Sequence, residues 1–179
     1  MIRSLEQLYA LVARVTRRLD QVHAGRLQCR RGCSDCCVDG LTVFQVEADY
    51  IRRHHSALLE GGVPAPAGRC AFLDDEGGCR IYEHRPYVCR TQGYPLRWTE
   101  ESNSGEEVWE MRDICPLNDQ GTPVVDLGAE DCWSLGPAEA RLRRLQIEHA
   151  RRSGSPEDDA VSERVALRAL FRTSEGGSR

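Results

Sequence analysis

Apolar side chains recur at helical intervals near the start of the chain, at Leu5, Leu8, Leu11, Val12, Val15, Leu19 and Val22, between a candidate cap at Ser4 and a stop near Gly25. Steps of three and four place them on one face, which predicts an amphipathic helix that packs the domain. A second helix is predicted from about Val46 to Leu59, with Ala48, Ile51 and Leu58 among its apolar positions and Gly61-Gly62 as its stop. From Cys70 to Tyr82 the pattern reads as two short strands joined by an acidic, Gly-ended turn. Pro86 then opens a short helical turn that carries Cys89. Tyr94, Leu96 and Trp98 alternate before a polar tip, and Val108, Trp109 and Met111 follow it, so Gly93 to Arg112 predicts a hairpin. Pro137 starts a helix to about Arg152, and Ser155-Pro156 with three following acids starts another to about Arg172.

These elements make a small, mostly helical α+β fold. Residues 1–135 are expected to form a cysteine-rich, metal-organised domain with the N-terminal helix, residues 136–172 a C-terminal helical extension, and residues 173–179 a disordered tail. No run approaches the ~20 apolar residues of a membrane-spanning helix, and the N-terminus lacks a secretory apolar core, so no membrane association and a cytoplasmic location are expected. The 3 Phe, 5 Tyr and 3 Trp are few for 179 residues, so stabilisation must come from elsewhere. All 24 basic residues are arginine. Schiff-base chemistry, a Walker-type phosphate site and a lysine general base are thereby excluded. The net charge of -4 argues against nucleic acid as a partner. The locally basic run at Arg141, Arg143, Arg144, Arg151 and Arg152 has no aromatic platform beside it, and suits a protein partner at least as well.

Nine cysteines in such a chain point to metal or catalysis, because cytosolic thiol buffers oppose disulfides. Cys29, Cys33, Cys36 and Cys37 lie in a polar, Gly-containing loop with spacing C-x3-C-x2-C-C, which folds sulfurs toward one point. Adjacent Cys36 and Cys37 diverge on an extended backbone, so they are expected to serve different metal atoms, or one ligates beside the other. The cluster loop of radical S-adenosylmethionine enzymes shares the spacing of the first three cysteines, but too little chain follows to build their α/β barrel. Cys70 and Cys79 become neighbours if their hairpin closes; Cys89 and Cys115 follow. Cys132, alone beside Trp133, reads as a core thiol.

Cys29-x3-Cys33-x2-Cys36-Cys37, Cys70-x8-Cys79-Arg-Ile-Tyr82 and Arg85-Pro86-x2-Cys89-Arg90 together resemble the YkgJ cysteine-cluster family, a zinc- or iron-chelating domain with eight characteristic cysteines. The resemblance runs from about Cys29 to Cys115. It implies metal ligands at Cys29, Cys33, Cys36, Cys37, Cys70, Cys79, Cys89 and Cys115, and leaves Cys132 out. The module also occurs in a flagellin lysine methylase, so the resemblance keeps a methyl-transfer role open.

Only one Cys-x2-Cys knuckle is present, no histidine is in register, and Cys115-Pro116 is similar to ferredoxin-type ligation. This favours an iron–sulfur cluster, [4Fe–4S] in type, over Zn(II). Four thiolates on either centre leave about two negative charges to screen. Arg85 and Arg90, inside the matched motif, are the expected screening residues, ahead of Arg30, Arg31 and Arg80. His54 and His55 read as surface residues and His84 as a hydrogen-bonding one. No catalytic constellation is present: Glu106, Glu107 and Glu110 read as a solvated strand edge.

Overall fold

The structure is a computed structural model that describes residues 2–102, 105, 107–154 and 161–171. It has the expected α+β character: helices α1 (Ile2–Val22), α2 (Gln45–His54), α3 (Ser56–Gly61), α4 (Tyr87–Thr91) and α5 (Pro137–Ser153), with short strands β1 (Thr42–Val43), β2 (Leu96–Glu101), β3 (Val108–Asp113), β4 (Trp133–Ser134) and β5 (Val165–Ala166). No described helix is long and apolar enough to cross a membrane. The chain divides into two compact units. One gathers Ile2, Arg31–Pro86 and the described residues of 145–171, and the other gathers Arg3–Arg30 with the described residues of 87–144.

The first unit closes around Phe72, with Val43, Ala48, Ile51, Leu59, Leu73 and Ile81 from one stretch and Leu167, Leu170 and Phe171 from the other. The rings of Phe72 and Phe171 lie 5.0 Å apart, centroid to centroid. β5 pairs antiparallel with β1, Val43 opposite Val165, and the Leu167 N–H continues the ladder to the Leu41 carbonyl at 2.9 Å. The helix expected to run to Arg172 is therefore corrected: over 161–171 the chain makes β5 and a 3-10 turn, Leu167–Leu170. Pairing with β1 and burial of Leu167, Leu170 and Phe171 override the local helix signal. The start of that expected helix at 155–160, and the tail from 172, lie outside the described residues. Arg168 fixes the segment: its Nε donates to Asp39 at 2.9 Å, its Nη1 to the Ala65 carbonyl at 2.7 Å, and its Nη2 to the Arg69 carbonyl at 2.8 Å.

The predicted second helix is also corrected, being two helices. The backbone leaves helical geometry at His55 (φ -133°, ψ 31°), which ends α2 and begins α3. There the His55 ring reaches His84, Nε2 to Nδ1 at 3.1 Å, and the His54 ring stacks on His84 at 4.1 Å. That contact joins segments 29 residues apart, beyond what helical periodicity can register. The expected hairpin at Cys70–Tyr82 shrinks to one bridge, Leu73 with Cys79, because the Asp74 carboxylate takes the N–H groups of Glu76 and Gly78 and tightens the turn.

In the second unit α1 buries Leu5, Leu8, Tyr9, Val12 and Leu19, as its periodicity predicts. It starts at Ile2, so Ser4 lies inside its first turn instead of capping it. β2 and β3 form the predicted hairpin, in register from Leu96 opposite Asp113 to Glu101 opposite Val108, and β4 adds in parallel to β2. Glu110 on β3 pairs with Arg97 at 2.8 Å and with Arg112. The Tyr87 hydroxyl donates to Glu139 and accepts from Trp133 Nε1 at 2.9 Å. Glu139 also accepts the Gly136 N–H at 2.5 Å, which settles the start of α5.

Candidate metal centre

Five cysteines belong to the first unit: Cys33, Cys36, Cys37, Cys70 and Cys79. Their loop is moored at its start, where Arg31 pairs with Asp74 at 3.1 Å and Glu76 at 3.4 Å. The Cys37 N–H turns back to the Ser34 carbonyl at 2.8 Å, and the Cys37 carbonyl accepts the Cys70 N–H at 2.9 Å. Cys37 and Cys79 pack half-buried against the core that contains Cys70. The segments of Cys37 and Cys70 thus meet through their backbones, and Cys79 packs on the same core.

Cys36 and Cys37 do not diverge. The Ser34–Cys37 backbone is a turn, not extended, and the two side chains hydrogen-bond. That bond, aided by the charge of Arg85, lowers the Cys36 thiol from 9.0 to about 6. Cys70 and Cys79 behave oppositely, since burial pushes both thiols up. Each nevertheless receives a backbone N–H two residues on, Cys70 from Phe72 and Cys79 from Ile81. Amides aimed at sulfur favour the anionic form that a metal binds. Arg85 lies 3.8 Å from the centre of the Tyr82 ring, and its charge favours the thiolates of Cys36 and Cys79. Arg80 instead ties backbone together, donating to the carbonyls of Ala71 at 2.6 Å and Val63 at 2.9 Å.

The second unit holds Cys29, Cys89, Cys115 and Cys132. Cys29 is an exposed residue whose sulfur accepts a hydrogen bond from Asn118 Nδ2 at 3.4 Å. Asn118 closes a turn begun by Cys115, its N–H donating to the Cys115 carbonyl at 2.8 Å. Cys89 rides half-buried on α4, and Arg90 beside it sits over the Tyr9 ring at 4.0 Å. Cys132 is buried, its thiol pushed up by that burial, and Arg112 Nη1 lies 3.4 Å from its sulfur.

Among the described residues, no three Cys, His, Asp or Glu side chains already form a group that could hold a metal ion. The chemistry of the donors still suits a thiophilic metal: free thiols, amides directed at sulfur, one thiol lowered to about 6, and a guanidinium whose charge favours two of them. In the second unit the Cys29 sulfur packs so close to Gly93 that a Cβ there would stand 2.6 Å from it. Two features escape the sequence. Asn118 is one polar residue after a Cys-Pro step, and only its complete burial marks it. The His54, His55 and His84 grouping carries no local signal, since adjacency on a helix predicts divergence.

No curated protein and no solved structure matches the chain. A family model described as a putative zinc- or iron-chelating domain, CxxCxxCC, matches residues 28–116, about half of the chain. That span contains every cysteine except Cys132, and its first interval, Cys29 to Cys33, is one residue longer than the family label. Through residues 28–116 the chain belongs to the CxxCxxCC family of zinc- or iron-chelating domains.

Proposed function

We propose that this chelating domain holds iron, in one or two iron–sulfur centres, through thiolates drawn from Cys29, Cys33, Cys36, Cys37, Cys70, Cys79, Cys89 and Cys115, and that it serves electron transfer, metal handling or sensing. The observation that carries the reading is the pair of backbone amides at the Cys70 and Cys79 sulfurs, in the unit where Cys36 and Cys37 also meet. Hydrogen bonds to cysteine sulfur are one of the levers by which a protein sets the potential of an iron–sulfur centre. An all-thiolate donor set without an accompanying histidine ligand points the same way. Such a centre, when bound, supplies one-electron chemistry.

The chain's own residues do the rest. Arg85 offsets thiolate charge at Cys36 and Cys79, and its guanidinium cannot lose its proton to do so. Cys70 and Cys79, raised by burial, must release their protons as a metal binds, so loading is expected to weaken as the solution is acidified.

Anaerobic purification followed by a visible spectrum and quantification of iron, acid-labile sulfide and zinc tests this. A brown protein with iron and sulfide in comparable amounts is expected. A colourless protein loaded with zinc would overturn the iron–sulfur reading and leave a structural zinc module. A chain that retains neither metal would overturn both.

A further inference from the structure

We propose that Asn118, just beyond the family-matched segment, is a positioning residue for Cys29 as a metal ligand and keeps its hydrogen bond to that sulfur in the loaded protein; this rests on the metal-binding reading above. Asn118 is fully buried, at 0% exposure, and each of its polar groups is engaged. Its Nδ2 donates to the Gly93 carbonyl at 2.7 Å and to the Cys29 sulfur at 3.4 Å. Its Oδ1 accepts the Gln28 N–H at 2.8 Å. Its backbone N–H donates to the Cys115 carbonyl at 2.8 Å, and its carbonyl accepts the Gln120 N–H at 2.9 Å. One side chain thereby joins the segment of Cys29 to the segment that leaves α4, and its backbone sets the turn that begins at Cys115.

The bond to sulfur is more than packing. A neutral thiol is a weak acceptor, whereas a metal-bound thiolate carries charge, so the same N–H strengthens when the site is loaded. The backbone beside that amide confines the sulfur as well. Gly93 adopts φ +96°, and a Cβ there would meet Cys29 Sγ at 2.6 Å. The amide donor and the bare Gly93 backbone thus meet the sulfur from one flank, while Cys29 as a residue remains exposed. Aspartate has the shape of asparagine but no N–H, and its carboxylate would set a second negative charge beside the thiolate.

The full-length chain, stripped of metal under reducing conditions and reloaded with a magnetically active cadmium isotope, supplies the test. In the wild type, an Asn118 Nδ2 proton is expected to show scalar coupling to the same cadmium ion that couples to the Cys29 β protons. A merely structural asparagine would not produce that signature. Asn118→Asp is expected to weaken cadmium binding about 10- to 100-fold in a chelator competition, with the circular dichroism retained. Cadmium coupled to Cys29 but not to Asn118, or equal affinity in the folded variant, overturns the inference and leaves the metal-binding reading intact. If Asn118→Asp does not fold, the wild-type coupling decides alone. A wild type that binds neither cadmium, zinc nor iron overturns the metal-binding reading and this inference with it.

Discussion

In the unit built around Phe72, the Cys36 sulfur meets another thiol, that of Cys37; in the unit built on α1 and the three-stranded sheet, the Cys29 sulfur meets an amide, that of Asn118. A thiol donor can itself lose its proton and become a ligand. An amide cannot, so it can only orient and screen. The first arrangement therefore places two thiols in one hydrogen bond and lowers the thiol of Cys36. The second sets a buried, fully bonded amide against the sulfur.

The largest effect on this contrast comes from the core beneath the first set. Phe72→Ala empties a site that is 1% exposed and should destabilise the unit by about 3–5 kcal/mol. Urea unfolding read by hydrogen exchange should show protection lost across α2 and β1 before α1. Equal loss in α1 would mean that the division into units has no energetic counterpart.

Arg168→Ala comes next. It removes an ion pair with Asp39 and leaves the Ala65 and Arg69 carbonyls without that donor, for about 2 kcal/mol. The Cys37–Asp39 loop should then become more accessible to alkylation, while Cys29 reacts as before. Unchanged labelling at Cys37 would show that the loop is held from elsewhere.

Cys37→Ala sharpens the contrast directly. Without its hydrogen-bond partner, Cys36 should return from about 6 toward 9.0, so that at neutral pH a thiolate becomes mainly a thiol. In the metal-free protein the pH midpoint of Cys36 alkylation should rise, and Cys37→Ser, which keeps a donor, should restore much of the shift. A midpoint indifferent to both variants would refute the thiol-pair account.

The smallest effect concerns His55, whose imidazole is held below its usual 6.5 by burial and then by the neighbouring charges of His84 and His54. Because the folded value lies under the unfolded one, its stabilising contribution is complete above 6.5 and is lost as the pH falls through the folded value. Amides around the α2–α3 junction should exchange faster over that window than the intrinsic rate explains, and His55→Gln should flatten the trend.

Much of this was readable from residue order. The α1 periodicity, the β2–β3 alternation, the Pro137 start of α5 and the cysteine spacings all act within a few residues, where helical pitch, strand pleat and turn length govern the outcome. So did the identity of the donors: thiols without lysine and without an accompanying histidine set a soft, thiophilic chemistry before any folding is considered. Long-range contacts settled the rest. Val165 became strand instead of helix because β1 offered it partners, α2 ends at His55, whose ring meets His84 from 29 residues away, and Cys36 ionises early because a turn folds Cys37 back onto it. Asn118 gains its role only by burial between Gly93 and Cys29. Each of these depends on free energy exchanged between segments distant along the chain, which local propensity, a sum over near neighbours, does not contain.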